Sequence, residues 1–120
     1  MCIRDRGAIF GPHIRPTEAE LDDLWEIVTA GGGLRLAPQL LGYIEERRRH
    51  RERWVGALLR TAVPRRLVVG PEDPVSGVSL ITRYRELVPG ADLVELPGIG
   101  HYPQLEAPSA VVTAATAKGL

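Results

Sequence analysis

Three consecutive apolar residues, Leu67-Val68-Val69, are cut off by Gly70-Pro71 and followed at once by Glu72 and Asp73. A run this short, bounded by chain breakers, fits a strand buried on both faces. From Val78 to Val88, the residues Leu80, Ile81, Tyr84, Leu87 and Val88 recur at helical spacing. A second strand is predicted over Asp92–Leu96; Pro97-Gly98 stop it, and His101 stands three residues later. A strand over 66–70, a helix and a strand over 92–96 read as parallel neighbours joined by a right-handed crossover. The loops after both strands then open on one edge of the sheet, where ligands bind in open α/β sheets. The fold class expected is therefore α/β, with Asp73 and His101 within about 3.2 Å or one water of each other.

The upstream half reads as helical. Thr17 has the position of an N-cap with Glu20 three residues on, the capping-box pattern. Leu21, Leu24, Trp25 and Val28 then form one apolar face, and Gly31-Gly32-Gly33 end the helix. A second helix is expected to start near Pro38, a residue suited to the first helical position, and to run with a bend to Leu59. Leu40, Leu41 and Ile44 supply its buried side, followed by Trp54, Val55, Leu58 and Leu59, while Glu45 and Glu46 have the spacing to pair with Arg49. Ile9-Phe10-Gly11-Pro12 reads as a loop. Pro108 is placed to open a last helix with Val111, Val112, Ala115 and Leu120 as its apolar positions. Met1–Arg6 matches nothing around it and is read as a non-native or disordered tail. The expected division is 1–6 tail, 7–62 helical segment, 63–120 strand-bearing segment.

Composition removes several function classes. Fifteen basic and fifteen acidic side chains give a formal charge of zero, so no global field recruits nucleic acid or a membrane surface. The arginine run from Arg47 to Arg53 could neutralise phosphates. Two glutamates precede it and Glu52 interrupts it, so a solvated helix face is expected instead. The single cysteine, Cys2, cannot make an internal disulfide. No apolar run approaches the roughly 18 residues of a membrane span, and a charged N-terminus leaves a cytoplasmic location as the default. His13, His50 and His101 lack ligand spacing, so neither metal nor cofactor is expected.

The chemistry points to the two strand-end loops. A histidine flanked by Gly98 and Gly100 permits close approach of backbone to a substrate. A carboxylate beside it would orient the imidazole and stabilise its charged form, and the imidazole could then take a proton from a nucleophile or from water. Glu72 and Asp73 are both candidates for that acid.

The motifs G-x-x-D-P at Gly70–Pro74 and G-H-Y-P-Q-L-E-A-P at Gly100–Pro108 resemble the C-terminal part of an α/β-hydrolase. Phe10-Gly11-Pro12, the L-x-x-L-W pattern from Leu21, Tyr43–Arg47 and Arg53–Leu58 resemble the cap and post-cap helices of that superfamily. The combination, over about residues 9–118, is most similar to the mesoderm-specific transcript subgroup, close to epoxide hydrolases and haloalkane dehalogenases. The resemblance selects Asp73 as the acid and His101 as the base, since the chain order there is nucleophile, acid, histidine. It implies a structural role for Glu106 in holding the histidine loop. It also implies a small, mostly apolar ester- or epoxide-like substrate; Trp25, Tyr43 and Trp54 are candidate cap or pocket aromatics, with core packing the role expected first for each. No G-x-S-x-G or G-x-D-x-G elbow occurs in the 120 residues, so the chain is expected to be a C-terminal fragment without its nucleophile. The alternatives are a cofactor-free haloperoxidase or lyase on the same scaffold, or a nucleic-acid-binding module built on the arginine-rich helix.

Overall fold

The computed structural model describes residues 8–117; the Met1–Arg6 tail, with Cys2, and Leu120 lie outside the described residues. The described chain divides into two compact units, one of residues 8–16 with 63–117 and one of residues 17–62. The segment before Thr17 thus belongs with the strands rather than with the helices between them in sequence.

In the first unit, β1 (Leu67–Val69) and β2 (Leu93–Glu95) are parallel neighbours in a two-stranded sheet, with Leu67 opposite Leu93 and Val69 opposite Glu95. Helix α5 (Gly77–Leu87) connects them, as the alternation of apolar run, helical stripe and apolar run requires. Both strands are shorter than their sequence patterns, because pairing spans only three residues of each. Arg66 fixes the start of the pair. Its Nε donates to both Asp92 carboxylate oxygens at 2.9 and 3.0 Å, and its Nη1 donates to the Ala114 carbonyl at 2.5 Å. That carbonyl lies in the last turn of α7 (Pro108–Thr116), where unpaired backbone oxygens need donors. Pro108 opens α7 as the sequence predicts, although Ala114 rather than Val112 or Ala115 is its buried residue. A short helix absent from the sequence-based expectation, α6 (Pro103–Glu106), precedes it. The core consists of Phe10, Val69, Ile81, Val88, Ile99 and Ala114. Ile81 and Val88 are seven residues apart, two turns of one helix face, and turn that face of α5 and its C-terminal end inward.

The second unit begins with α1 (Glu18–Thr29) and its capping box: Thr17 Oγ1 accepts from Glu20 N–H at 3.3 Å, and Glu20 Oε2 accepts from Thr17 N–H at 2.8 Å. Gly31 and Gly32 take φ values of +59° and +82°, a region that costs glycine nothing, and a 3₁₀ turn over Ala30–Gly32 ends the helix. The remainder of the unit departs from expectation. Instead of one bent helix from Pro38 to Leu59 there are three: α2 (Gly33–Leu40), α3 (Tyr43–Arg49) and α4 (Arg51–Arg60). Pro38 is the sixth residue of α2, not the first of its helix. Lacking an N–H, it cannot bond back to Leu34, and α2 ends two residues later. His50, at φ −105° and ψ 13°, separates α3 from α4. Leu40, Leu41 and Ile44, predicted to be buried, are exposed.

Candidate active site

The first half of the site is the turn after β1. Gly70 is buried there, and glycine is required because any Cβ would collide with the Ile99 and Gly100 carbonyl oxygens. The chain can therefore run against the loop after β2, and Glu72 N–H donates to the Ile99 carbonyl at 3.1 Å. Asp73 is held inside this turn, its side chain only 6% exposed. Its Oδ1 accepts from Val75 N–H at 2.8 Å; its Oδ2 accepts from Ser76 Oγ at 2.5 Å and meets His101 Nδ1 at 2.9 Å. Glu72 is exposed. Of the two neighbouring acids, Asp73 is the one brought to the imidazole.

The second half is the loop between β2 and α6. Leu96 N–H still donates to the Val69 carbonyl, and Gly98 then turns the chain at φ +77°. His101 N–H donates to the Ile9 carbonyl at 2.7 Å. Its ring meets the Tyr102 ring edge-on at 4.9 Å, and Tyr102 in turn packs on Phe10 at 5.4 Å. Beneath the loop lies the buried carboxylate of Glu106. It accepts from Gly11 N–H and Gly100 N–H, both at 2.8 Å, and from Tyr102 N–H at 3.1 Å. Three donors satisfy a charge that would otherwise be costly to bury.

Burial pushes the Asp73 carboxyl up. Hydrogen bonds from Ser76, His101 and the Val75 N–H, with the attraction of the imidazolium, outweigh that and hold it at about 2. The carboxylate is thus ionised at any pH above the acid range. With its proton on Nδ1 and donated to Asp73, the His101 ring presents Nε2 as a lone-pair acceptor. A third of the His101 side chain is open to solvent. Such a pair can accept a proton at Nε2 while the carboxylate stabilises the charge that results.

Sequence reasoning missed three parts of this arrangement. It read Ile9–Pro12 as a plain loop, yet Ile9 and Gly11 hold the histidine loop from the far end of the chain. Gly11 between Phe10 and Pro12 was the available signal, because a Cβ there would meet the Gly98 carbonyl. The set of donors to Glu106 left no trace in residue types, since all three are backbone. Ser76 was visible as an Asp-x-x-Ser spacing, the reach of a side-chain bond within a turn.

The other residues singled out from sequence lie elsewhere. Trp25 is half-buried in the second unit; Tyr43 and Trp54 are exposed there, Tyr43 beneath the Arg47 guanidinium at 5.1 Å and Trp54 against His50 at 5.6 Å. The arginine run is divided between α3 and α4 and is exposed, and the ion pair at its start joins Arg48 to Glu45 at 3.8 Å. Among the described residues, no three His, Cys, Asp or Glu side chains gather as a metal-ligand set, and no helix is long and apolar enough to cross a membrane.

Parallel strands wound through a helix, with an acid and a histidine on the loops after them, constitute an α/β arrangement. Several curated proteins are similar in sequence to this chain. A Mycobacterium tuberculosis protein named "Putative hydrolase LipZ" is 42% identical over 112 residues, which cover 93% of this chain and 39% of that protein. The mesoderm-specific transcript protein of Mus musculus is 39% identical over 108 residues, covering 88% of this chain and 32% of its own length, and the Homo sapiens homologue matches to the same extent. The chain therefore spans 32–39% of the length of these curated relatives. No protein-family profile and no solved structure matches it.

Proposed function

We propose that this chain carries the acid and the histidine of a nucleophile–acid–histidine hydrolase of the α/β-hydrolase type. Asp73 is the acid and His101 the base. The observation that carries the reading is the 2.9 Å contact between Asp73 Oδ2 and His101 Nδ1, made by loops after two adjacent parallel strands. The relative named as a hydrolase supports it. In this reading His101 Nε2 removes the proton of an attacking hydroxyl or water, and Asp73 holds the ring and balances its charge.

The nucleophile is proposed to come from chain outside these 120 residues, since no nucleophile elbow occurs within them. The helices of residues 17–62 then form the cap, and the substrate is a small, mostly apolar ester or epoxide, in keeping with the epoxide hydrolase-like subgroup.

A pair of assays tests this. The chain expressed alone should leave a chromogenic ester and an epoxide intact, because an acid–histidine pair without its nucleophile acts at best as a weak base. Expressed within a longer reading frame that includes an elbow, it should hydrolyse at least one of them. There His101→Ala lowers kcat roughly 1,000-fold or more. Hydrolysis that survives both His101→Ala and Asp73→Asn would sink the reading.

A further inference from the structure

Ser76 has the position of an N-cap for α5, yet its side chain makes no capping hydrogen bond. At such a position a serine oxygen ordinarily accepts from a backbone N–H of the first turn. Here the hydroxyl donates backwards instead, to Asp73 Oδ2 at 2.5 Å. The Ser79 hydroxyl does not replace the missing cap, because it donates to the Ser76 carbonyl at 2.7 Å rather than accepting from a first-turn N–H. Gly77 makes the reversal possible. It sits at φ +20°, and a Cβ there would come within 2.7 Å of the Pro71 carbonyl oxygen, so a larger residue would push the turn open.

An isolated aspartate can rotate about its Cβ–Cγ bond and offer either oxygen. Asp73 cannot do so without losing bonds, because donors occupy both oxygens: Val75 N–H on Oδ1, and Ser76 Oγ with His101 Nδ1 on Oδ2. We propose that Ser76 is a positioning residue, whose hydroxyl together with the Val75 N–H fixes the Asp73 carboxylate in the orientation that presents Oδ2 to His101. This rests on the proposed roles of Asp73 and His101 and deepens them. It also removes Ser76 as a nucleophile. Its proton is committed to the carboxylate, whereas an activated serine must donate to the base itself.

The test reads Asp73 directly by carbonyl-carbon NMR titration of the full chain. The groups that bear on it are His101 across the turn and the exposed Glu72 beside it. The midpoint, about 2 in the native chain, rises by roughly one unit in Ser76→Ala. Ser76→Thr, which keeps the hydroxyl, restores it. Ser76→Gly serves as a second variant should the alanine chain fail to fold, because glycine is tolerated at N-caps. In the hydrolytically active protein, Ser76→Ala should lower kcat about tenfold with KM unchanged. A folded Ser76→Ala or Ser76→Gly chain with an unmoved Asp73 midpoint overturns the inference. The titration needs no turnover, so its failure overturns the role of Ser76 alone. Hydrolysis surviving both His101→Ala and Asp73→Asn overturns the proposed function, whatever the titration shows of Ser76.

Discussion

Among the described residues, the unit formed by residues 8–16 and 63–117 contains all six buried apolar side chains together with the Glu106 and Asp73 carboxylates, whereas none of the helices between residues 17 and 62 contains a buried residue. In the first, Ile81 is 3% exposed; in the second, Ile27 is 72% exposed and Leu40 is 69%. The contrast separates two sources of order. The strand unit has a close-packed interior, which tolerates little displacement, so the loops carrying Asp73 and His101 are anchored on something stiff. The helical unit relies on local devices such as the Thr17 capping box and the glycine-encoded stop after α1. Such devices are worth about 1 kcal/mol each, and short helices gain most of their stability from packing. The Asp73–His101 pair is correspondingly found in the first unit.

The largest expected blow to that contrast comes from Glu106→Ala. It leaves the Gly11, Gly100 and Tyr102 N–H groups without their acceptor, two of them on buried glycines. The expected loss is about 4 kcal/mol in urea unfolding of the strand unit. A loss below about 1 kcal/mol would mean that this carboxylate is not what holds the histidine loop.

Next comes a matched pair. Ile81→Ala should cost about 3 kcal/mol through lost burial and the cavity left behind, while Ile27→Ala should change stability by less than about 0.5 kcal/mol. Equal costs would show that the helical unit packs its apolar face in solution.

Acid should act on the first unit through Asp73. Folding lowers its pKa, so the stabilisation is complete above the unfolded value near 4 and disappears as pH falls through about 2. It is worth about 2 kcal/mol, and Asp73→Asn should flatten that part of a stability–pH curve. A curve with the same slope in both proteins would assign the acid sensitivity elsewhere.

The smallest effect is expected at Thr17→Ala, which removes the capping box of α1. About 1 kcal/mol should be lost, read as faster amide exchange confined to residues 18–29. Faster exchange in β1 or β2 as well would mean that the two units unfold together.

These differences also explain what could be read from the sequence. The strands, α5 and the approach of the Glu72-Asp73 turn to His101 were legible because apolar runs stopped by Gly-Pro and Pro-Gly set both the topology and the loop positions, while the choice of Asp73 over Glu72 came from the family resemblance. The break-up of the second helix was not. Leu40, Leu41, Ile44 and Trp54 have a helical spacing whether or not the helix is continuous; Leu41 and Gly42 even keep right-handed helical backbone angles, and the break at His50 is one residue's conformation. The acceptor in the hold on the histidine loop, Glu106, was legible through the family resemblance, but its partners were not, for a different reason. Its donors are backbone N–H groups, which every residue but proline possesses.

The Gly11–Glu106 hydrogen bond joins residues 95 positions apart, whereas Gly100–Glu106 spans six. Closing the longer loop costs roughly 2 kcal/mol more in chain entropy, so the two bonds to one oxygen differ in how readily they form. The near one can arise as soon as α6 exists. The far one must wait, and during synthesis Gly11 precedes its acceptor by roughly 5–19 s at ordinary elongation rates. The Ile9–Gly11 segment is thus the entropically costlier of the two holds on the histidine loop, which closes on itself through Glu106 before the chain's earliest described residues need return to it.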